Sequence, residues 1–437
     1  MLTPFNTLES SLVTAQRTGI HQFKRPVSKG VLQEKFSWRN HVRLGLLQLI
    51  TLMIFLLSTL PAHAFTYTFP GVLPLGCSGG NGTYICGALA LGNNDSISVT
   101  PIVGKATTIT INGDFTTDQF VQINTSGSSS SVSFLVYGTT TTGPNSTIKA
   151  SITSTDGVIN IGDNNSYTGT LKTDNAAINV GNNSSITGSL NTTVSGVITV
   201  GFDSTVSGSL NTYTGAINVG ARSTTGSLIS ASAGAITIGA NATINGNIST
   251  GADAVTTGAS SNVTGDVTTR VGAITIGADA RVGGKINNLD TSTAGAVTLK
   301  DRAISTGTII TDAGAVTLGT GSQAAGVATK DGAITIGSNG NITGSLCTGN
   351  SGAITVGAGS TVSGNVISKT AGAITVGSLA RVTGAVLVLA AGARTIAADA
   401  TVGTTQNSSK CANEIVEPGR ATAPKIISRE WRQLFMR

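Results

Sequence analysis

The side chains that could act as acids, bases or metal ligands are few in this 437-residue chain, and they are widely scattered. All three histidines (His21, His41 and His63) precede residue 65, and no glutamate occurs between Phe65 and Ala412. Histidine-dependent triads and histidine-ligated metals are therefore not expected after residue 64.

Three aspartates occupy comparable positions shortly after a glycine, namely Asp163, Asp203 and Asp279. Sugar-cleaving β-helical enzymes need carboxylates grouped along one groove. These three are not on consecutive repeats, and an aspartate at a corner usually serves the turn. The pattern predicts no catalytic residue, cofactor or metal site, and an enzyme acting on polysaccharide is the least favoured hypothesis.

The cysteines suggest two disulfides. Cys77 and Cys86 flank a Gly/Asn-rich turn and can close a small loop in an exported protein, with two free thiols as the alternative. Cys347 is predicted to lie at an outward position, and we expect it to bond to Cys411.

Residues 1–64 have the features of an extended signal peptide. A basic region is followed by an apolar run over 44–60 and by the sequence Pro61-Ala62-His63-Ala64, which predicts cleavage after Ala64 and export to the periplasm, cell surface or medium. The alternative is an uncleaved membrane span, the only membrane contact expected. This segment holds most of the net charge of +6, so the remainder is nearly neutral and no nucleic-acid partner is predicted.

The stretch 234–248 shows the unit from which most of the chain is built. Apolar and small residues fall at every second position, as in a strand with one apolar face: Ile236, Ile238, Ala240, Ala242, Ile244, Gly246 and Ile248.

Close variants of this unit return thirteen times at steps of 18 to 20 residues, with one step of 23. The residues that precede the first strand of each unit are Gly157, Ala176, Gly196, Gly215, Gly234, Asp253, Gly272, Gly295, Gly314, Gly332, Gly352, Gly372 and Gly392. This regularity predicts an all-β, single-stranded β-solenoid, or parallel β-helix, with two strand stretches per coil. Parallel crossovers favour a right-handed coil, and a left-handed hexapeptide solenoid is the alternative.

The predicted organisation has five parts. After the signal peptide (1–64) come an N-terminal cap with the disulfide loop (65–104), irregular early rungs (105–156), the regular solenoid (157–405) and a C-terminal tail (406–437). Arg394 replaces the usual Ile or Val in the last unit, which suggests that the stack ends there.

One predicted outward column is unusually uniform, because it contains only threonine and asparagine. Stacked Thr and Asn pair well with themselves, which explains the column by fold alone; the alternative is a hydroxyl array that binds ice or polysaccharide. Its members are Asn160, Asn179, Thr199, Asn218, Thr237, Thr256, Thr275, Thr298, Thr317, Thr335, Thr355, Thr375 and Thr395.

Several stretches carry a family resemblance: the Tyr-Thr-Phe-Pro-Gly start (67–71), the Cys77 and Cys86 pair, residues 110–117 and the repeats. They resemble the β-solenoid region of exported MSHA-type pilus biogenesis proteins, and the repeats are similar to polymer-forming, bactofilin-like proteins. The resemblance implies a non-enzymatic surface component that associates with itself or with other surface proteins.

Overall fold

The computed structural model describes residues 64–102, 104–289 and 295–404, all of which belong to one compact unit. Apart from a short 3-10 helix at Ser129–Ser131, the regular elements are strands, and all of their pairings are parallel except for one hairpin. Within these ranges no helix has the length and apolar character needed to cross a membrane.

The chain winds as a three-sided β-solenoid in which each coil places one strand on each side. We call the first side the ladder face. Its strands are Leu89–Leu91, Phe115–Thr117, Thr140–Thr142, Ile159–Ile161, Ile178–Val180, Ile198–Val200, Ile217–Val219, Ile236–Ile238, Val255–Thr257, Ile274–Ile276, Val297–Leu299, Val316–Leu318, Ile334–Ile336, Ile354–Val356, Ile374–Val376 and Arg394–Ile396.

The second face follows the ladder face in each coil. Its strands are Thr66–Phe69, Ser96–Val99, Gln122–Ile123, Thr147–Lys149, Ser166–Thr168, Ser185–Thr187, Thr205–Val206, Thr224–Thr225, Thr243–Ile244, Asn262–Val263, Arg281–Val282, Asn341–Ile342, Thr361–Val362, Arg381–Val382 and Thr401–Val402.

The third face completes the coil. Its strands are Thr83–Cys86, Thr107–Ile111, Val132–Val136, Ser151–Ser154, Leu171–Thr173, Leu190–Thr192, Leu210–Thr212, Leu228–Ser230, Ile248–Thr250, Val267–Thr269, Ile286–Asn288, Leu346–Thr348, Val366–Ser368 and Val386–Val388. Two longer strands, Ile304–Thr311 and Gln323–Thr329, run through both the second and the third face. Cys77–Gly80 adds an antiparallel edge to Thr83–Cys86.

The predicted solenoid is confirmed, and each of the thirteen predicted units supplies one strand to the ladder face. The segments predicted as cap and early rungs also contribute strands to the same three faces; Thr66–Phe69, for example, pairs with Ser96–Val99. The leader up to residue 63, including Ala62 of the predicted cleavage site, and the tail from 405 lie outside the described residues.

The prediction of two strand stretches per coil was wrong, because the second stretch is two strands with a corner between them. In the unit 234–248, Thr243–Ile244 ends before Gly246, whose φ is 156°, and Ile248–Thr250 begins a new side. Glycine adopts such a φ without a steric penalty. The same bend places Gly246 at a corner, where it is half-buried and not part of the core.

The interior of the solenoid is a continuous column of apolar side chains. Ile236, Ile238, Ala242, Ile244 and Ile248 are at most 2% exposed, as the alternation predicts. Burying each branched side chain contributes about 1.5–3 kcal/mol. The few branched side chains of one coil together contribute less than the cost of ordering its backbone, so stability depends on stacking between coils.

Candidate functional site

The predicted outward column is a continuous in-register ladder at the centre of the ladder face. Thr237 pairs with Asn218 on one side and Thr256 on the other, and the same register continues from Asn160 to Thr395. Every member is exposed or half-buried, whereas the residues before and after it in each strand are buried, except in the last coil. The structure therefore brings all thirteen predicted side chains together on one surface.

Asparagine and threonine stack differently within this column. Asn179 donates a 2.8 Å hydrogen bond from its side-chain amide to the side-chain oxygen of Asn160 in the preceding coil. A side-chain hydrogen bond therefore links two neighbouring ladder residues near the start of the column. Several threonines further along are exposed to solvent, namely Thr237, Thr256, Thr317, Thr335 and Thr375.

Two further columns flank the threonines, and their side chains are small. Two residues before each ladder residue stands Ala or Val: Val158, Ala177, Val197, Ala216, Ala235, Ala254, Ala273, Ala296, Ala315, Ala333, Ala353, Ala373 and Ala393. Two residues after it stands glycine in eleven coils: Gly162, Gly181, Gly201, Gly220, Gly239, Gly258, Gly277, Gly319, Gly337, Gly357 and Gly377. Apart from Lys300, nothing larger than valine, threonine or asparagine occurs in these positions, so the surface is flat over most of its length.

The stacking distance at the corner leaves little room for a side chain at the glycines of this column. A Cβ added to Gly258 would lie 2.5 Å from the backbone nitrogen of Ala240 and 2.6 Å from the carbonyl carbon of Gly239. Both atoms belong to the preceding coil, so a side chain there cannot be accommodated unless the backbone moves.

The ladder face carries almost no charge. Over the coils from 158 to 397, Lys300 is the one charged residue in the three outward columns, and it takes the place of a glycine. Its coil follows the longest step of the repeat. The face is therefore a neutral strip interrupted at a single exposed point.

The three predicted corner aspartates serve the corners. The side-chain oxygen of Asp163 accepts a 2.6 Å hydrogen bond from the backbone nitrogen of Asn182 in the next coil. Asp203 and Asp279 both have φ near +57° and are therefore in the left-handed conformation, which aspartate tolerates better than most residues.

Asp203 and Asp279 each bind an arginine of the following coil through two hydrogen bonds. The Nε–Oδ1 distance is 2.7 Å from Arg222 to Asp203 and 2.6 Å from Arg302 to Asp279. Hydrogen bonds from these guanidinium groups hold the pKa of both carboxyl groups below the ordinary value. Within the described part of the chain, no three residues of His, Cys, Asp or Glu form a group suited to a metal ion.

Three of the four cysteines lie among the described residues. Cys77 and Cys86 form the predicted disulfide, with a Cα–Cα distance of 4.0 Å, and it joins the two strands of the N-terminal hairpin. Cys347 points away from the main core, as predicted; however, it is fully buried and disulfide-bonded. Cys411 lies outside the described residues.

A second outward column was missed by the sequence analysis. On the third face, Ala328, Cys347 and Ile367 stand in register and form a small apolar cluster with Leu387. The signal was present in the sequence, because the equivalent positions in earlier coils are mostly polar, such as Lys172, Asn191, Asn211 and Thr268.

The last described coil differs from those before it. Arg394 takes the position of the buried Ile374 and is exposed, because no described coil stacks beyond it. In comparisons with known proteins, no family model, no curated protein and no solved structure matches the chain.

Proposed function

We propose that the protein is an exported, non-enzymatic structural rod that associates side-on with further copies of itself through the ladder face. The observation that carries this proposal is the flat, neutral, in-register surface of Ala, Thr and Gly columns that runs through thirteen coils. Flat β-surfaces with short side chains can pack closely against one another and exclude water.

The size of the face fits a stable contact between two chains. Coils stacked about 4.8 Å apart make the strip from Asn160 to Thr395 about 58 Å long, and the four steps of about 3.3 Å between the five residues across make it about 13 Å wide. The resulting footprint of about 750 Å² is close to the roughly 800 Å² that each partner buries in a standard protein interface.

One charge interrupts the neutral face. Soluble β-proteins use lysines at exposed strand edges to oppose unwanted sheet contacts. Lys300 lies in the glycine column at the border of the ladder face and would weaken the contact locally. Export is supported by the Cys77–Cys86 disulfide, which suits an oxidising compartment, and by the resemblance to exported pilus-associated and polymer-forming proteins.

The second candidate function uses the same surface to bind a flat, regular ligand, either ice or a polysaccharide. The exposed hydroxyls of Thr237, Thr256, Thr317, Thr335 and Thr375 favour it, because they belong to a column that places one Thr or Asn in every coil. A thermal-hysteresis assay tests the ice version, and sedimentation with insoluble polysaccharides tests the other. Binding by a chain that stays monomeric would favour this function over self-association.

Sedimentation velocity of the purified protein tests the proposal. We expect a mass that rises with protein concentration, and we expect the double variant Thr256→Lys/Thr317→Lys to remain monomeric because it adds two charges to the face. The matched control is Asn191→Lys/Thr268→Lys on the third face, where Lys172 already occupies an equivalent outward position. A monomeric wild type, or equal association by both double variants, would refute the proposal.

A further inference from the structure

A buried column of residues lies at the corner between the ladder face and the second face, one position before each second-face strand from Ser96–Val99 onward. Its members are Asp95, Val121, Ser146, Asn165, Ser184, Ser204, Ser223, Ala242, Ser261, Ala280, Ala303, Ser322, Gly340, Ser360, Ala380 and Ala400. All of them are buried except Ala400, which belongs to the last described coil. Asp95 is the one charged residue of the column, and it is 4% exposed.

Polar side chains of this corner column accept hydrogen bonds from the backbone of the preceding coil. The backbone nitrogen of Ser146 donates to Asn165 Oδ1 at 2.6 Å, and that of Ser184 donates to Ser204 Oγ at 3.1 Å. The same bond recurs in neighbouring coils. Each donor is an uncharged amide and each acceptor is uncharged, so buried polar groups are satisfied without a charge.

Asp95 makes the equivalent contact with Phe65. Phe65 lies one coil earlier, because Thr66 pairs with Ser96. The backbone nitrogen of Phe65 donates a 2.8 Å hydrogen bond to Asp95 Oδ1, and the nitrogen of Gly92 donates a 2.7 Å bond to Oδ2. The acceptor that faces Phe65 is therefore a carboxylate, whereas the equivalent bonds further along the column use uncharged acceptors.

The carboxylate of Asp95 has no cationic side chain beside it. Burying a carboxylate is costly unless a cation accompanies it. Among the described residues one other aspartate is buried, Asp312, and Lys330 Nζ lies 3.6 Å from its Oδ1. No lysine or arginine in the described ranges forms an ion pair with Asp95. A positive charge on the nitrogen of Phe65 would supply the missing cation.

Phe65 directly follows Ala64, after which the sequence predicts signal-peptide cleavage. Hydrolysis of the Ala64–Phe65 peptide bond by a signal peptidase consumes one water molecule and leaves a carboxylate on Ala64 and an amino group on Phe65. The amino group is mostly protonated at neutral pH, since α-amino groups have a pKa of about 7.7–8.0. Cleavage of this bond therefore creates a positive charge on the atom that contacts Asp95.

We infer that the chain is processed between Ala64 and Phe65 and that the new α-ammonium group of Phe65 forms an ion pair with the buried carboxylate of Asp95. A charge-assisted hydrogen bond is stronger than the amide bond that it replaces. The pair ties the first strand of the second face, Thr66–Phe69, to the next coil, so removal of the leader strengthens the N-terminal end of the solenoid. The inference shares with the proposed function the export of the chain, and it is independent of side-on association.

N-terminal sequencing of the protein exported from its full-length gene tests the processing site. We expect Phe65 to be the first residue. An exported protein that begins at any other residue, or that keeps residues 1–64, would overturn the inference. Sedimentation velocity of the same material measures side-on association, so the two proposals can fail separately.

The reactivity of the α-amino group tests the ion pair. An ammonium group held by a carboxylate releases its proton less readily and is therefore acylated more slowly than a free one. At neutral pH we expect an N-hydroxysuccinimide ester to label the nitrogen of Phe65 about tenfold faster in Asp95→Ser than in the wild type. Serine fills this position in later coils, so the variant keeps a hydrogen-bond acceptor and removes the charge. Equal labelling rates would refute the ion pair.

A one-residue extension is the matched control. A serine inserted between Ala64 and Phe65 leaves the nitrogen of Phe65 as an amide and moves the ammonium group away from Asp95. In this extended protein we expect Asp95→Ser to leave the labelling rate of the N-terminus unchanged. The same acceleration in the extended and the unextended protein would show that the substitution only loosens the N-terminal end, which contradicts the inference. Asp95→Asn replaces Asp95→Ser if that variant does not fold.

Discussion

Asn179 stands directly over Asn160 on the ladder face and donates a 2.8 Å hydrogen bond to its side-chain oxygen. The bond shows that the coils are stacked with each residue above its equivalent, the condition for stacked asparagine ladders. The same register converts a one-dimensional repeat into a surface on which every coil presents the same groups.

The close contact between coils at the glycine column should make Gly258 intolerant of any side chain. We expect Gly258→Ala to destabilise the fold by about 1–3 kcal/mol, since its Cβ would meet the backbone of the preceding coil. Gly87→Ala is the control, because a Cβ there meets nothing within 4 Å. Thermal unfolding followed by circular dichroism measures both, and equal melting temperatures would show that the column is not needed for stacking.

Leu379 should be a weak point that a single substitution improves. It has φ of 57° and is 73% exposed, at a corner where most coils have Asn, Asp or Gly. A left-handed backbone costs an ordinary residue about 1–2 kcal/mol, so Leu379→Asn should raise the melting temperature. Asn241→Leu, at an equivalent corner with φ of 58°, should lower it. Changes of the same sign in both variants would contradict this reasoning.

Tyr167 should make stability depend on alkaline pH. Its hydroxyl is buried in the core and donates a hydrogen bond to the carbonyl oxygen of Ala150, and burial raises the pKa of Tyr167 well above its ordinary value. The unfolded tyrosine ionises near about pH 10. The folded state keeps the proton, so stability should be full below that pH and fall as the pH rises above it.

The variant Tyr167→Phe separates the effect of the hydrogen bond on stability from the effect of ionising the hydroxyl. At neutral pH we expect a loss of about 1 kcal/mol from the missing hydrogen bond. Above pH 10 its melting temperature should fall less steeply than that of the wild type, because it has no proton to lose at this position. Parallel melting curves of the two proteins across this pH range would contradict the prediction.

The paired arginines should make stability sensitive to acid. Asp203 and Asp279 have lowered pKa values in the folded state because Arg222 and Arg302 donate hydrogen bonds to them. Their contribution is therefore present above the ordinary carboxyl pKa of about 3.9 and is lost as the pH falls through the lower folded values. Both pairs are solvent-exposed, so the effect should be small and should shrink in high salt.

The double variant Arg222→Gln/Arg302→Gln measures that contribution. We expect its melting temperature to be slightly below that of the wild type at neutral pH and to approach it as the pH falls below about 3.9. Lys172→Gln provides a control, since its nearest contact to Asp174 is 3.9 Å. A gap between variant and wild type that widens toward acid would refute the assignment.

The fold could be predicted because burial sets two periods in the sequence. Every second residue along a strand is apolar, and the pattern returns after about 19 residues, once per coil. Ile236, Ile238, Ala242, Ile244 and Ile248 all point inward as the alternation requires. The alternation is interrupted at Ala240 and Gly246, which lie at the two corners and are only half-buried, and the even positions are buried again on the next side. For the same reason, one predicted strand stretch is two strands.

The candidate site was only partly predictable. The Thr/Asn column was found because its members share one position in the repeat, and the flanking Ala and Gly columns could have been found in the same way. The pairing of Asp203 with Arg222 had a signal, opposite charges 19 residues apart, whereas Asp279 and Arg302 are 23 residues apart because the extra loop intervenes. The burial of Ile367 could not be predicted from the periodicity of the repeat, since outward residues at the equivalent position of earlier coils are half-buried.

Cross-linking at the middle of the ladder face tests side-on association most directly. In a two-fold symmetric contact, a residue near the centre of the face meets its own copy, whether the two rods run parallel or antiparallel. Thr275 lies near that centre, and Thr268, on the strand that immediately precedes it in the chain, lies on the third face. Under mild oxidation we predict that Thr275→Cys forms a disulfide-linked dimer and that Thr268→Cys stays monomeric. Equal yields from the two variants, or no dimer from Thr275→Cys, would contradict the account.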